Sequence, residues 1–360
     1  MSIPPRPSEG SAPALGEVAR KWPEGSQVNF EAALPADAVA GGGPDSPARS
    51  EAGPEHWDLI EVVAGLHAVR DRWREAQGRS KEAGGREFPS REALAQVVEQ
   101  LCGALFPMRL GPADLRQECE DFYVGHTLDA ALNLLLEQVR LELGYQARHG
   151  AGDESQARSR AAALVRAFAS TLPETRAVLD TDVEAAFRGD PAARSVDEIV
   201  LCYPGIHAVI HYRIAHRLYE LGVPLLARIV SELAHSATGI DIHPGAQIGH
   251  SFFIDHGTGV VIGETAVIGN RVRLYQAVTL GAKRFEVGED GGLAKGQPRH
   301  PRLEDDVVVY AGATILGRII IGQGASIGGN VWLTHSVPPG SHITQASLQH
   351  ADSGTPRQAR

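Results

Sequence analysis

The sequence has 360 residues, enough for two domains and a sizeable apolar core. Its formal net charge of −10 argues against a general nucleic-acid-binding protein, and no apolar run is long enough to span a membrane. The three cysteines are scattered without a C-x-x-C pair, so neither a disulfide framework nor a cysteine zinc site is expected.

Residues 1–55 are predicted to form a disordered tail. They are rich in Pro, Gly, Ala, Ser and Glu, a composition that cannot bury enough apolar surface to offset the entropy lost on ordering. They also lack the basic-then-apolar layout of a signal peptide, so the cytoplasm is the expected location. At the other end, residues 341–360 are predicted to form a flexible C-terminal tail.

Residues 56–237 are predicted to form an all-helical domain. Apolar residues recur at helical spacing, for example between Leu94 and Leu105. Pro204 predicts the start of a further helix, and Pro224 predicts the start of a short one that runs through Leu233. We expect this domain to cover the open end of the next domain and to build an oligomer interface.

Residues 238–340 carry a six-residue repeat of aliphatic side chains. An α-helix repeats every ~3.6 residues and a half-buried strand every ~2, so neither explains this spacing. A coil with three six-residue edges per turn does explain it, because each edge then points one aliphatic side chain inward. The repeat therefore predicts a parallel β-helix. Its clearest members are Leu303, Val309, Ile315, Ile321, Ile327 and Leu333.

The first interruption of the repeat is a two-residue slip between Ile254 and Ile262. It contains Asp255 and His256, and we expect this imidazole to project from a corner of the coil. Histidine is the natural general base near neutral pH, and it works best when a carboxylate holds its second nitrogen. Asp241 lies about one turn earlier and is expected to come close to His256. The alternative is a corner pair that only satisfies backbone groups.

The second interruption is an extended loop, residues 282–302, which ends in Arg299 and His300. The forked donors of arginine suit a carboxylate or a phosphate. Further basic residues surround the loop and favour a small polyanionic ligand, although a solvated charged loop is the plainer alternative. They are Lys283, Arg284, Lys295, Arg302 and Arg318.

His207 and His211 have the i, i+4 spacing of a helical metal pair. No glutamate follows the first histidine and no third ligand is evident, so two histidines on a packed helix are the better interpretation.

These motifs together resemble serine O-acetyltransferase, the enzyme that makes O-acetylserine for cysteine synthesis. The runs that carry the resemblance are DIHPGA at 241–246, DHGTG at 255–259, VIGETA at 261–266, TLG at 279–281 and RHP at 299–301. It extends to Asp190-Pro191-Ala192 and to the helix from Gly205 to Leu218. It implies an α+β fold, in which an all-helical N-terminal domain precedes a left-handed parallel β-helix of hexapeptide repeats. It also implies a homotrimer or a dimer of trimers.

The resemblance implies a role for each matching residue. His256 would be the general base that takes the proton of the serine hydroxyl, and Asp241 would orient it. Asp190 and Asp255 would hold the amino acid. Arg299 and His300, at the end of the loop, would bind its carboxylate. Acetyl-CoA would be a co-substrate rather than a bound cofactor, in a groove lined by Gly281, Ala282, Lys283 and Ala311. No metal is implied.

The sequence departs from the family pattern in three places. Gly281-Ala282-Lys283-Arg284 begins a longer loop where the family more often has Gly-Gly-Thr-Gly, and Ser326 replaces a common lysine. Many members end in an isoleucine that enters the active site of O-acetylserine sulfhydrylase. This chain ends in polar and charged residues, so no complex through the C-terminal tail is expected.

Three alternatives remain open at the level of the sequence. An acetyltransferase for a sugar or antibiotic hydroxyl would keep the fold and change the acceptor. A zinc enzyme of the γ-carbonic-anhydrase kind would use His243, His250 and His256, whose spacing differs from that family's pattern. A non-catalytic scaffold would use the coil only to trimerise.

Overall fold

The structure is a computed structural model that describes residues 57, 59–78, 88–148, 154–284, 293 and 296–346. The predicted N-terminal tail, loop residues 285–292 and 294–295, and residues 347–360 of the predicted C-terminal tail lie outside the described residues. Contacts divide the chain into two compact units, Met1–Gly85 and Arg86–Arg360. The predicted boundary between a helical domain and a β-helix domain at residue 238 stays a prediction.

The described part of the first unit consists of helix α1, Ile60–Ala76, and its flanking residues. None of the residues of α1 is buried. On its polar side, Asp71 pairs with His67 at 3.0 Å and with Arg74 at 3.3 Å. Such exposed pairs contribute only tenths of a kcal/mol.

The second unit begins with helices α2 to α8. Pro204 and Pro224 begin helices as predicted, but the last helix continues five residues past the predicted end at Leu233. It ends where Gly239 adopts a left-handed φ of 70°, a conformation that glycine takes without strain. The helices are Arg91–Leu105, Pro107–Leu110, Glu120–Arg148, Glu154–Gly189, Val196–Cys202, Pro204–Glu220 and Pro224–Thr238.

Helix α7 joins the other helices to the strands that follow. Its Arg213 forms a buried ion pair with Asp182 of α5, with N–O distances of 3.1 Å. The same guanidinium donates to the carbonyl oxygens of Ile248 and Gly249 at 2.6 Å. A buried ion pair needs such extra hydrogen bonds to offset its desolvation. The arginine therefore fixes the C-terminal half of α5 against the strands.

After Gly239 the chain forms a left-handed parallel β-helix with three sheets, as predicted. Sheet A contains β1, β4, β7, β10 and β13, which are Asp241–Ile242, Val261–Ile262, Thr279–Gly281, Thr314–Leu316 and Trp332–Leu333. Sheet B contains β2, β5, β8 and β11, which are Gln247–Ile248, Val267–Ile268, Arg302–Leu303 and Ile320–Ile321. Sheet C contains β3, β6, β9, β12 and β14, which are Phe253–Ile254, Arg273–Leu274, Val308–Val309, Ser326–Ile327 and His342–Ile343.

The chain visits the sheets in the order A, B, C, and each change of sheet makes a corner. We call the turns from sheet C to sheet A the C–A corner, and the turns from sheet A to sheet B the A–B corner. Strand β1 pairs with β4 twenty residues later, whereas β4 pairs with β7 after eighteen. The predicted two-residue slip therefore falls in the first turn of the coil, at the C–A corner.

The six-residue repeat forms the core of the coil. The side chains of its members point inward and are at most 2% exposed, from Leu303 to Leu333. The loop of residues 282–302 leaves this core undisturbed, because β7 on one side of it still pairs with β10 on the other.

Gly205, at the start of α7, lies against the coil and predicts a large steric effect. A Cβ atom there would meet the carbonyl oxygen of Ile254 at 2.2 Å. We expect Gly205→Ala to lower the free energy of unfolding by about 2–3 kcal/mol, because backbone must move to admit the methyl group.

The matched control for this substitution is Gly125→Ala in the exposed part of α4. No atom lies within 4 Å of a Cβ atom there. Alanine should raise the free energy of unfolding by roughly 0.5–1 kcal/mol, because it restricts the unfolded chain and favours helix. Urea denaturation measures both, and equal effects would contradict the steric argument.

Candidate active site

The C–A corner presents His256 to solvent. The residue follows Asp255 at the end of β3 and adopts a φ of 59°, with its side chain 71% exposed. The next residue, Gly257, has a φ of 94°, and a Cβ atom there would lie 2.4 Å from Cδ1 of Ile240. The turn is thus pressed against the core, and the imidazole projects outward as predicted from the sequence.

Asp255 is the carboxylate within ion-pair distance of His256. Its side chain is only 10% exposed, and its Oδ1 lies 3.9 Å from Nε2 of the imidazole. Its other oxygen, Oδ2, accepts a hydrogen bond of 2.6 Å from Arg273 Nη2 in β6. The sequence analysis gave Arg273 no role. The two-residue slip makes this turn twenty residues long, so Arg273 pairs in register with Phe253, two residues before Asp255.

Asp190 reaches the same corner from the end of α5. Its Oδ2 accepts a hydrogen bond of 2.5 Å from the Tyr203 hydroxyl, and its Oδ1 accepts one of 2.8 Å from the Ala192 N–H. The Tyr203 hydrogen bond, the Ala192 N–H and the nearby charges of Arg273 and His256 lower the pKa of Asp190. Two carboxylates, Asp190 and Asp255, therefore lie beside one imidazole.

Asp241 belongs to the same corner, but its carboxylate has other neighbours. Its N–H donates to the Val260 carbonyl at 2.9 Å. Its side-chain oxygens lie with the ligand atoms of Glu232 and His235, all within 4.8 Å of one another. Among the described residues no ion pair joins Asp241 to His256, so the orienting role of Asp241 stays a prediction.

In the same described part of the chain, one group of side chains is spaced closely enough to hold a metal ion. This group is Glu232, His235 and Asp241. It includes none of the three histidines of the zinc alternative.

Arg299 and His300 lie at the other corner, A–B. Nη2 of Arg299 donates to Oε2 of Glu264 at 2.7 Å, and the Tyr219 hydroxyl donates to Oε1 at 3.2 Å. Burial raises the pKa of Glu264, but the Arg299 hydrogen bond and the nearby positive charges outweigh it and lower the pKa overall. Sequence reasoning quoted Glu264 inside a motif without assigning it a role.

His300 is held in one tautomer. The residue is only 6% exposed, and its Nδ1 accepts a hydrogen bond of 3.0 Å from the Thr265 N–H. Burial first, and then the charge of Arg299, lower the pKa of His300 to about 4. The neutral ring therefore carries its proton on Nε2, as a hydrogen-bond donor.

The residues predicted to line the acyl-CoA groove also divide between the two corners. Gly281, Ala282 and Lys283 lie at the A–B corner, where the Gly281 carbonyl accepts from the Gly317 N–H at 2.9 Å. Ala311 follows β9 at the C–A corner, where its carbonyl accepts from the Asn330 N–H at 2.9 Å. Lys295, one of the basic residues predicted to surround the loop, lies outside the described residues. Each corner therefore holds part of the predicted serine site and part of the predicted acyl-CoA groove.

His207 and His211 of α7 pack against each other, with ring centroids 4.2 Å apart. Nδ1 of His211 contacts the His207 carbonyl at 2.9 Å. Burial is the main reason why the pKa of His211 falls to about 4. This geometry fits the packed-helix interpretation of the pair.

The two buried histidines predict acid sensitivity. An unfolded histidine titrates near 6.5, whereas His211 and His300 titrate at about 4 in the folded chain. Between these values the unfolded chain binds more protons, so the free energy of unfolding falls as pH falls from 6.5 to 4. Each histidine accounts for roughly 3 kcal/mol of this loss at most. Urea denaturation of wild type and His211→Gln between pH 7.5 and 4.5 measures it. Parallel curves would contradict the assignment to His211.

No helix in the described part of the chain is long and apolar enough to cross a membrane.

Comparison with known proteins gives a consistent result. No family model matches the chain. The plasmid serine acetyltransferase of Synechococcus elongatus is 59% identical over 265 residues, which are 73% of this chain and 83% of that protein. The serine acetyltransferase of Bacillus licheniformis is 48% identical over 166 residues, which are 46% of this chain and 73% of that protein. The crystal structure of Entamoeba histolytica serine acetyltransferase 1 with L-cysteine has a TM-score of 0.60 and 35% identity. The match covers 79% of this chain and 100% of the Entamoeba chain.

Proposed function

The chain belongs to the serine acetyltransferase family, and from this premise we propose how its own residues transfer an acetyl group from acetyl-CoA to the hydroxyl of L-serine. The products are O-acetyl-L-serine and CoA, and the reaction serves cysteine biosynthesis. The observation that carries the proposal is the grouping of Asp190, Asp255 and His256 at one exposed corner of the coil.

In the proposed mechanism His256 acts as the general base. Its exposed imidazole takes the proton of the serine hydroxyl, and the oxygen attacks the thioester carbon of acetyl-CoA. The resulting tetrahedral oxyanion collapses and breaks the carbon–sulfur bond. The leaving CoA thiolate receives the proton from the imidazolium, so the enzyme returns to its starting state. No covalent acetyl-enzyme is required.

The carboxylates around His256 have separate proposed roles. Asp190 and Asp255 bind the ammonium group of serine, since both face the corner and a cation is the natural partner of two carboxylates. Asp241 orients His256, which requires its side chain to turn from Glu232 and His235 toward the imidazole.

The serine site is proposed to be shared between two chains. The ammonium-binding residues lie at the C–A corner, whereas Arg299 and His300, the proposed carboxylate clamp, lie at the A–B corner. Around a three-fold axis, one surface of each copy contacts a different surface of the next copy. Such an arrangement would join the C–A corner of one chain to the A–B corner of its neighbour. We therefore propose a homotrimer, or a dimer of trimers, with one serine site and one acyl-CoA groove at each interface between coils. Gly281, Ala282 and Lys283 of one chain and Ala311 of the next would line the groove.

Several finer expectations follow from the proposed function. The enzyme works in the cytoplasm with acetyl-CoA as a co-substrate and without a bound cofactor. L-Cysteine, the ligand of the Entamoeba enzyme, should compete with serine because the two amino acids differ only in O and S.

The test is release of the CoA thiol from acetyl-CoA in the presence of L-serine, with the product identified by mass spectrometry. A panel of sugar and antibiotic alcohols serves as the comparison. We expect release to depend on L-serine and to give a product heavier than serine by one acetyl group. Turnover with another alcohol but not with serine would overturn the acceptor and leave the acetyl transfer standing.

A further inference from the structure

Arg273 lies among the carboxylates of the C–A corner. It belongs to β6, where it pairs in register with Phe253 of β3. Its hydrogen bond of 2.6 Å to Asp255 joins two shielded side chains, which are 25% and 10% exposed. A charge-assisted bond of this length in a shielded site is among the stronger side-chain contacts in proteins.

Aromatic rings hold the guanidinium of Arg273 in place. Its Cζ lies 5.0 Å from the ring centroid of Phe253 and 4.6 Å from that of Tyr275. The Tyr275 ring in turn stacks on Tyr310, with centroids 5.1 Å apart and an interplanar angle of 15°. The Nε atom of Arg273 is buried and has no hydrogen-bond partner among the described residues. The orientation of the group is therefore set by the rings and by Asp255, and a planar cation suits these contacts.

The two oxygens of the Asp255 carboxylate have different neighbours. Oδ2 is taken by Arg273, while Oδ1 is the oxygen that lies 3.9 Å from the imidazole of His256. If Arg273 were absent, the carboxylate could rotate and shorten this separation of 3.9 Å to a direct hydrogen bond with His256. It would then be withdrawn from the position proposed for the substrate's ammonium group.

We propose that Arg273 is a positioning residue for acetyl transfer, which fixes Asp255 toward the substrate's ammonium group and keeps it from forming a direct hydrogen bond with His256. The inference rests on the proposed function and adds to it a residue outside the motifs that carry the family resemblance.

The charge of Arg273 also enters the electrostatics of this corner. The other charged and titratable groups there are Asp255 and His256 of one turn, Asp190 and Tyr203 from the helical side, and Tyr275 from the next turn. Arg273 lies close to both carboxylates, and its loss removes a positive charge from the corner. The pH profiles of a variant without this charge should therefore move to higher pH.

The experiment compares Arg273→Met, Arg273→Lys and the control Arg271→Met. Arg271 precedes Arg273 by two residues but points elsewhere, where it pairs with Asp306 at 2.6 Å and is 48% exposed. Two quantities are measured for each full-length protein. The first is the pH dependence of kcat/KM for serine, together with the separate KM values for serine and acetyl-CoA. The second is the pH dependence of diethyl pyrocarbonate modification of His256, followed by mass spectrometry, which requires no turnover.

For Arg273→Met we expect the acidic limb of both pH profiles to move up by roughly 0.5–1 pH unit. We also expect the KM for serine to rise severalfold, while the KM for acetyl-CoA changes little. Arg273→Lys should restore the pH profiles because it keeps the charge, but not the KM for serine because it lacks the planar fork. Arg271→Met should behave as wild type.

The outcomes separate the inference from the proposed function. If Arg273→Met keeps the wild-type modification profile and the wild-type KM for serine, the positioning role is wrong. A merely structural role would lower the amount of active enzyme without moving either pH profile, and that result also overturns the inference. If the wild type does not acetylate serine, the proposed function fails, while the modification profile still tests the effect of Arg273 on His256.

Discussion

Replacement of His256 by alanine should reduce kcat/KM for serine at least ~10²-fold and as much as ~10⁴-fold, the range that a general base contributes. The protein should remain folded, because the side chain is 71% exposed and fills no part of the core. The loss should appear mainly in kcat, since Asp190 and Asp255, the proposed ligands of the ammonium group, remain in place. Thiol release at saturating acetyl-CoA measures it.

The matched control is His250→Ala, which removes another exposed histidine from the coil. Its ring contacts the hydroxyl of Ser251 at 3.0 Å and takes no part in either corner cluster. We expect wild-type turnover from this variant. A His256→Ala enzyme with the wild-type rate would refute the general-base mechanism.

The second large effect concerns the shared site. Arg299→Ala should lower kcat/KM for serine by roughly 10²-fold, the effect of losing a charged hydrogen bond worth about 2–3 kcal/mol. If each site takes its base from one chain and its clamp from the next, Arg299→Ala and His256→Ala chains should complement each other. When the two variants are unfolded together and refolded as a mixture, about a quarter of the sites receive both intact residues. Activity should then return to about a quarter of wild type, far above either variant alone.

A second mixture controls for this result. His256→Ala and Asp190→Asn remove two residues from the same corner, so no site in their mixture receives an intact C–A corner. We expect no recovery of activity from that pair. No recovery from either mixture would place the whole serine site within one chain. Equal recovery from both would place His256 and Asp190 in different chains and would contradict the proposed division between the corners.

The sequence predicts the coil well because its signal is local and repeated. Each inward residue from Leu303 to Leu333 lies six positions from the next, and each is buried. The same regularity placed Asp255 and His256 at a corner, because a two-residue slip can be accommodated only where the chain turns. The helix starts at Pro204 and Pro224 were equally local signals.

The contacts missed by sequence reasoning involve residues that are distant along the chain. Arg273 looks like an ordinary charge on a strand until its pairing with Phe253, two residues before Asp255, places it beside that carboxylate. The two-residue slip was a usable signal for that contact, because it lengthens this turn from eighteen to twenty residues and so aligns Arg273 with Phe253. No such period links the coil to Glu232 and His235 of α8, which lie beside Asp241. Their positions depend on how a helix packs on the coil, which a six-residue repeat does not encode.

The end of α5 has a consequence for how such chains diverge. Gly189 lies so close to Phe253 that a Cβ atom would meet the ring at 2.8 Å, and the next residue is Asp190. The helical part therefore contributes Asp190, with its partner Tyr203, to the C–A corner of the coil. A chimaera that joins the helices of one relative to the coil of another must preserve this contact to keep Asp190 at the corner. The two parts should consequently be inherited and exchanged as one unit, although each has its own kind of secondary structure.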